Sequence, residues 1–215
     1  MKIWIKCILS VLMTITFLGC ALGSGKPAIM VHQYALEYPS PTLPTLTPLA
    51  DVIRVERFTV VQIYKSSKIV YREKSYNYDE YAYHRWRANP GDMVGDYLLR
   101  DLRQSGLFKA VFSYRDPDDI SLVLKGGVGE FFEADEKGIR KAVLAVSLTL
   151  MDLTQRDISS RVLFQKNYRL EEPVAEQTVQ GLVHAMSGAM EKLSRQVLGD
   201  LYGAIKNRST SQYVK

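Results

Sequence analysis

The alternation in residues 142–150 is the feature that most constrains what this chain can fold into. Its apolar residues fall on every second position, namely Ala142, Leu144, Val146, Leu148 and Leu150. This is the period of a β-strand with one buried face. Comparable strand patterns occur in residues 120–132 and 162–170, and polar loops separate the three segments. Because strands joined by short loops usually pair with each other, we predict a meander of three long antiparallel strands.

Shorter segments also have strand composition. β-branched residues dominate residues 52–64, where we expect a bend near Arg57. Prolines at positions 39, 41, 44 and 48 predict a stiff connector before that segment. The further predicted strands are residues 34–38, 69–72, 81–86 and 109–114.

Two amphipathic helices are predicted. Pro90 opens the first, at a position where its missing N–H is not needed, and Gly106 ends it. The second spans residues 175–205, with an apolar stripe at helical spacing that includes Leu182, Met186 and Leu193. Together these elements predict an α+β fold in a single domain, an antiparallel sheet with two helices packed on it.

The N-terminus predicts an exported lipoprotein. Lys2 and Lys6 precede the apolar residues 8–18, a run shorter than the ~20 residues of a membrane-spanning helix, and Gly19 then precedes Cys20. We predict a signal peptide (1–19), a covalent lipid on Cys20 and no other cofactor. A tether (20–32), a periplasmic domain (33–205) and a flexible tail (206–215) would follow. In an ordinary secreted protein, the alternative, Cys20 would be an unusual unpaired thiol.

The compartment follows from the same region. Ala21 stands where an Asp commonly retains lipoproteins on the inner membrane, so we expect the periplasmic face of the outer membrane. The formal charge of +5 includes Lys2 and Lys6, and the remaining charges are interspersed. Nucleic-acid binding would require a basic stripe, and we expect none.

Catalytic and metal sites are not predicted. The three histidines, His32, His84 and His184, are far apart and have no cysteine partner, and no HExxH, GxSxG or CxxC motif occurs. The glycines at positions 126, 127 and 129 lie inside a strand and lack the lysine and helix of a phosphate loop, so they indicate a bulge or a close backbone approach. The acidic residues around Pro117 are better explained by a turn than by a calcium loop.

One aromatic and basic segment is a candidate partner-binding surface. Tyrosine and arginine are enriched at protein interfaces because they combine a large contact area with directed polar groups. The predicted partner-binding residues are Tyr76, Tyr78, Tyr81, Tyr83, Arg85, Trp86 and Arg87. The alternative is that alternate tyrosines simply cover the core.

The order of several short motifs resembles a known family. Residues Tyr34-Ala35-Leu36 open the domain, Trp86-Arg87-Ala88-Asn89-Pro90 leads into the first helix, and Leu102-Arg103-Gln104-Ser105-Gly106-Leu107-Phe108-Lys109-Ala110-Val111 follows its end. After a lipoprotein signal, this order is similar to that of the ABC-type transport auxiliary lipoprotein family. The resemblance covers residues 34–205, and residues 66–83 depart from it as a polar, aromatic insertion.

The resemblance implies a non-enzymatic partner of an MCE-type envelope lipid transport system. Such a lipoprotein would dock a periplasmic tunnel protein, served by an ABC or other membrane component, to the outer membrane, with a ring of copies as one arrangement. The competing hypothesis is a lipoprotein regulator that binds a cell-wall synthase. A hydrolase is a third and weaker hypothesis.

Overall fold

The computed structural model describes residues 30–116 and 119–212, with side chains through Arg208. The predicted signal peptide, Cys20 and two residues of the predicted turn, Pro117 and Asp118, lie outside the described residues. One compact unit begins at Val31. In the part of the chain that the structure describes, no helix has the length and apolar character to cross a membrane.

Nine strands and three α-helices form the described part of the chain. The elements are β1 (His32–Tyr34), β2 (Leu49–Val55), β3 (Thr59–Val60), a 3-10 helix (Gln62–Tyr64), β4 (Lys68–Lys74), β5 (Asn77–Trp86), α1 (Pro90–Gln104), β6 (Phe108–Ser113), β7 (Leu122–Glu136), β8 (Ile139–Asp152), α2 (Ile158–Arg161), β9 (Val162–Pro173) and α3 (Val179–Gln212). The bend predicted near Arg57 is the break between β2 and β3. The first strand lies slightly earlier than predicted, so it takes in His32 from the predicted tether.

The predicted meander of long strands is confirmed. β7 pairs antiparallel with β8 from Leu122↔Asp152 to Glu136↔Ile139. β8 pairs antiparallel with β9, with Leu144 opposite Leu170. The alternating apolar residues of β8 are buried, as their period requires.

The rest of the sheet corrects the predicted fold class, because the sheet is mixed and not purely antiparallel. The second edge of β7 is shared by β2, β3 and β4, which all run parallel to it. Their register advances steadily along β7, with Ile53 opposite Leu122, Thr59 opposite Gly127 and Tyr71 opposite Glu133. β2 also pairs in parallel with β6, and β1 with β5. The result is a large curled sheet that contains three antiparallel pairs, including β4 with β5.

The long return path of the chain explains the parallel pairs. Parallel neighbours need a crossover of a dozen or more residues, usually through a helix. After β4, the chain turns back through β5 and crosses over through α1 before it forms β6 and β7. Strand composition alone does not reveal this path, and so the antiparallel prediction failed for this half of the sheet.

The predicted helices pack on the sheet and close the core. In α1, Asn89 caps the N-terminus by accepting a hydrogen bond from the Asp92 N–H at 3.1 Å, and Pro90 follows it. In α3, most residues of the apolar stripe are buried, and Leu182, Met186 and Leu193 are fully buried. The third helix, α2, is short and was not predicted; Asp157 caps it.

The last helix continues beyond its predicted end. We predicted a flexible tail from residue 206, but α3 extends to Gln212. Arg208 provides the physical reason, because its guanidinium donates hydrogen bonds to Asp51 of β2 at 2.7 Å and to Asp152 of β8 at 3.1 Å. These contacts hold the polar end of α3 against two strands.

The glycines inside β7 are explained by close approach and a bulge, as predicted. A Cβ at Gly126 would lie 2.3 Å from ring atoms of Phe58, so only glycine admits that buried ring. The pairing of β7 with β8 slips by one residue between Val128 and Glu130, which is a β-bulge at Gly129.

Residues 35–48, the N-terminal strap, cross α1 before they reach β2. The buried carboxylate of Asp101 holds them there: it accepts hydrogen bonds from Tyr38 Oη at 2.7 Å and from Ser40 Oγ at 2.5 Å. Arg100 Nε donates to the same carboxylate at 2.8 Å, and its guanidinium lies 4.4 Å from the centre of the Tyr38 ring. Burial and the hydrogen bond to Asp101 raise the pKa of Tyr38 well above its ordinary value.

The strap also contacts α3. The backbone N–H of Glu37 donates to Ser187 Oγ at 3.0 Å, and the hydroxyls of Thr47 and Tyr202 lie 3.2 Å apart. The strap therefore bonds to both long helices of the domain.

Candidate docking surface

The predicted partner-binding residues lie on the β4–β5 hairpin and just after it. Its turn, Ser75-Tyr76, places Tyr76 in the left-handed region with φ 68°. Residues with a side chain adopt this conformation uncommonly. The Tyr76 side chain is 99% exposed, so its ring contacts little of the protein.

Two members of the predicted set face inward. Trp86 is 2% exposed and its ring packs edge-on against Phe131, with the ring centres 5.2 Å apart. Trp86 is thus a core residue and is not available at the surface. Tyr81 is half-buried, and its hydroxyl donates to Glu133 Oε2 at 2.7 Å.

A buried ion pair fixes Tyr81. Glu133, in β7, is almost fully buried and pairs with Arg140 of β8. Arg140 Nη2 also donates to the Tyr81 hydroxyl at 2.8 Å. Burial is the main cause that raises the pKa of Tyr81, and the hydrogen bond to Glu133 adds to it. This network ties the β4–β5 hairpin to the β7–β8 hairpin.

The ring of Tyr78 is held in place by contacts with Phe132 and Arg72. Its ring packs edge-on against Phe132 at a centre distance of 5.5 Å. The guanidinium of Arg72 lies 4.9 Å from the centre of the Phe132 ring and 5.9 Å from that of Tyr78, within the range of cation–π attraction. Tyr78 thus presents a rigid, partly exposed ring.

The remaining members of the set are at the surface. Tyr83 and Arg87 are exposed, and Arg85 is partly exposed. The buried Nε of Arg85 has no hydrogen-bond partner among the described residues. The structure therefore leaves Tyr76, Tyr78, Tyr83, Arg85 and Arg87 as the accessible part of the predicted set.

Two histidines join β1 to this hairpin. The Tyr34 hydroxyl hydrogen-bonds to Nδ1 of His84 at 2.9 Å, and the rings of His32 and His84 stack with centres 5.4 Å apart. Both histidines therefore have a structural role, because their contacts stabilise the pairing of β1 with β5. Within residues 30–116 and 119–212, no group of three or more metal-ligating side chains is brought together.

Sequence reasoning missed a cleft between α1 and the strands beside it. Its lining includes Arg57, Asp92, Asp96 and Arg115 around a volume of about 170 Å³. Arg57 binds both carboxylate oxygens of Asp92, at 2.7 and 2.9 Å, and chiefly this contact lowers the pKa of Asp92. The only sequence signal was the bend at Arg57, which gave no hint of its acidic partner.

The described geometry is that of an exposed aromatic and basic face on a β-sheet. Residues 34–198 match one protein family, the ABC-type transport auxiliary lipoprotein component. The chain therefore belongs to the ABC-type transport auxiliary lipoprotein family, and the resemblance of its motifs is confirmed. Among curated proteins, none matches the chain.

Solved structures share the fold. Protein XCC0632 from Xanthomonas campestris is similar with a TM-score of 0.75 at 17% identity, over 83% of this chain and 99% of that one. An uncharacterized protein is similar with a TM-score of 0.62 at 13% identity, over 80% of this chain and 99% of that one. At such low identity these likenesses support the architecture alone.

Proposed function

We propose that this protein is a lipid-anchored, non-catalytic docking subunit of an ABC-type transport system, held on the periplasmic face of the outer membrane by acyl chains on Cys20. Its partner in this proposal is an MCE-type periplasmic tunnel protein that moves lipid. The observation that carries the proposal is the match of residues 34–198 to a family of auxiliary lipoproteins of ABC-type transport. The signal pattern that ends at Cys20 supports the anchor.

The partner surface in the proposal is the accessible aromatic and basic face. Rigid aromatic rings lose little conformational freedom on binding, and Tyr78 is already fixed by its contact with Phe132. Arg85 is partly exposed, and the accessible part of its guanidinium can bind a carboxylate or a backbone carbonyl of a partner.

An unpaired strand edge supports assembly of several copies. β9 pairs with β8 alone among the described strands, so its other edge offers backbone hydrogen-bonding groups. A ring of copies around one tunnel is the arrangement that we include in the proposal. Cross-linking of the lipidated protein in membranes would test it.

A pull-down from solubilised membranes tests the partner. The test variant is Tyr83→Ala with Arg85→Ala, and the matched control is Tyr114→Ala with Arg115→Ala. The control pair is also an exposed tyrosine and arginine, but it lies directly after β6. In the strand order, β6 is at the end opposite to β1 and its neighbour β5. We expect the wild type and the control to capture the MCE protein, and the test variant to lose most of it.

Two outcomes would contradict the proposal. Recovery of a cell-wall synthase with no tunnel component would support the competing regulator hypothesis. Equal loss of capture in both double variants would show that the hairpin face has no special role. Equal amounts of each variant in the membrane fraction must be verified first, because a folding defect would mimic lost binding.

A further inference from the structure

Two β-turns project from the same side of the sheet, at the ends of the neighbouring strands β4 and β7. One is Ser75-Tyr76 between β4 and β5, and the other is Lys137-Gly138 between β7 and β8. β4 and β7 run parallel, with Arg72 opposite Ala134, so both strands reach their turns at the same level. An ion pair between Arg72 and Glu136 joins them just below the turns. We call these residues, 74–77 and 136–139, the turn edge.

The turn edge exposes apolar side chains that the fold does not use. Tyr76 is 99% exposed and Ile139, directly after the second turn, is 62% exposed. Tyr76 also holds a left-handed backbone conformation that glycine would adopt without strain. Tyr76 and Ile139 thus place exposed apolar groups on two neighbouring turns.

The charge at the turn edge is balanced. Lys74 and Lys137 are exposed on the two turns, and Glu73 and Asp79 are exposed beside the first. Glu136 is matched by Arg72 and Glu80 by Lys68. A balanced edge with a tyrosine at its tip suits the interface of a bilayer, where tyrosine rings reside at the level of the headgroups.

The direction of β1 gives the reason to choose a bilayer as the occupant. β1 runs parallel to β5, with His32 opposite His84 and Tyr34 opposite Trp86. Because β5 starts at the Ser75-Tyr76 turn and runs away from it, the chain enters β1 from the side of the turn edge. About seven residues of β5, at about 3.3 Å each, separate His84 from the turn.

The length of chain before β1 allows the contact. Eleven residues lie between Cys20 and His32, and the twelve steps from residue to residue span at most about 3.6 Å each when extended, so the reach is about 40 Å. This reach exceeds the roughly 23 Å from His84 to the turn. A lipid on Cys20 can therefore enter a bilayer that also touches the turn edge.

We propose that the turn edge rests on the bilayer that holds the lipid anchor, with Tyr76 and Ile139 seated among the headgroups. This inference rests on the proposed anchoring at Cys20. It divides the accessible aromatic and basic set: Tyr76 contacts lipid, while Tyr78, Tyr83, Arg85 and Arg87 stay available to the protein partner.

Spin labelling of the lipidated full-length protein tests the inference. The cysteines of the chain are Cys7, inside the signal, and Cys20, whose sulfur is acylated, so an introduced cysteine is the single free thiol of the mature protein. The variants are Tyr76→Cys, Ile139→Cys and the control Ile158→Cys. Ile158 is 72% exposed but lies beyond the far end of β8, a strand about 40 Å long that begins at Ile139.

Each variant is labelled with a nitroxide and reconstituted in vesicles of phosphatidylethanolamine and phosphatidylglycerol. Collision with oxygen, which enters lipid, is compared with collision with a water-soluble nickel complex. We expect the labels at positions 76 and 139 to lose nickel accessibility several-fold relative to the label at 158 and to retain oxygen accessibility.

Sedimentation of the same samples separates the two proposals. Protein that pellets with vesicles while all three labels remain equally accessible to nickel would overturn the bilayer contact and leave the anchor in place. Protein that stays in solution, with an unmodified Cys20 by mass spectrometry, would overturn both. Protection of position 76 only after the tunnel protein is added would also overturn the inference, because the occupant would then be a protein.

Discussion

Replacement of Asp101 by alanine should detach the N-terminal strap from α1 and destabilise the whole domain. The carboxylate is fully buried and is the shared acceptor for Tyr38, Ser40 and Arg100. Alanine would leave both hydroxyls without this acceptor and the guanidinium without its counter-ion. Buried polar groups that lose their partners are costly because water does not replace the lost bonds.

The size of the effect follows from burial. Removing one partner of a buried ion pair costs about 3–5 kcal/mol. The side chain of Arg100 is 31% exposed, so water compensates part of its lost pairing, and we expect the lower end, about 3 kcal/mol. For a domain of this size the urea dependence is about 2–3 kcal/mol per molar, so the unfolding midpoint should fall by about 1 M.

Urea unfolding followed by tryptophan fluorescence measures this loss. Trp86 is the one tryptophan in residues 20–215, and its burial against Phe131 makes its emission sensitive to unfolding. Asp96→Ala is the matched control, because Asp96 is on the same helix but exposed. The control should change the free energy of unfolding by less than about 0.5 kcal/mol.

The conservative variant Asp101→Asn sharpens the test. It keeps an oxygen acceptor but removes the charge, so its loss should fall between those of the control and of Asp101→Ala. If Asp101→Ala unfolds within about 1 kcal/mol of the wild type, the carboxylate does not fasten the strap and the reasoning is refuted.

Three further predictions test other parts of the account. Gly126→Ala should lower the thermal midpoint of unfolding by about 2–10 °C, because the added methyl group overpacks against Phe58. The midpoint should partly recover when Gly126→Ala is combined with Phe58→Leu. An unchanged midpoint in Gly126→Ala would contradict the assigned contact. Because the pKa of Tyr38 is raised in the folded state, the contribution of Tyr38 to stability is complete below about pH 10 and should decline at higher pH. Urea midpoints measured above about pH 10 should therefore fall, and they should fall less for Tyr38→Phe. Parallel pH profiles for the two proteins would argue against this role of Tyr38. Cys20→Ser should leave the fold intact but release the protein from membranes, and persistence of that variant in the membrane pellet on fractionation would count against lipid anchoring.

The sequence predicted best where local pattern decides structure. The strict alternation of β8 and the polar turns around it specify a hairpin, because a shift of one residue would expose the whole apolar face. The start of α1 was equally readable, since Asn89 and Pro90 are favoured at their positions for reasons internal to the helix.

Prediction from the sequence was less successful where residues distant in the chain determine which strands pair. The three strands parallel to β7 are placed by a crossover through α1, and nothing in their own residues specifies that neighbour. The prediction of which hairpin residues face outward was partly wrong because of a local irregularity. In the pairing of β4 with β5, three extra residues of β5 lie between Glu80 and Arg85. Simple alternation therefore could not assign Tyr81 and Trp86 to their inward positions.

The attachment of the strap has a mechanical consequence. If a membrane anchor and a bound partner pull in opposite directions, the load enters the domain along β1, parallel to β5, and so acts in shear across their hydrogen bonds. Tension that passes beyond β1 is shared between the carboxylate on α1 and the hydroxyls on α3. The described domain is thereby built to bear such a load without unfolding from β1 onward.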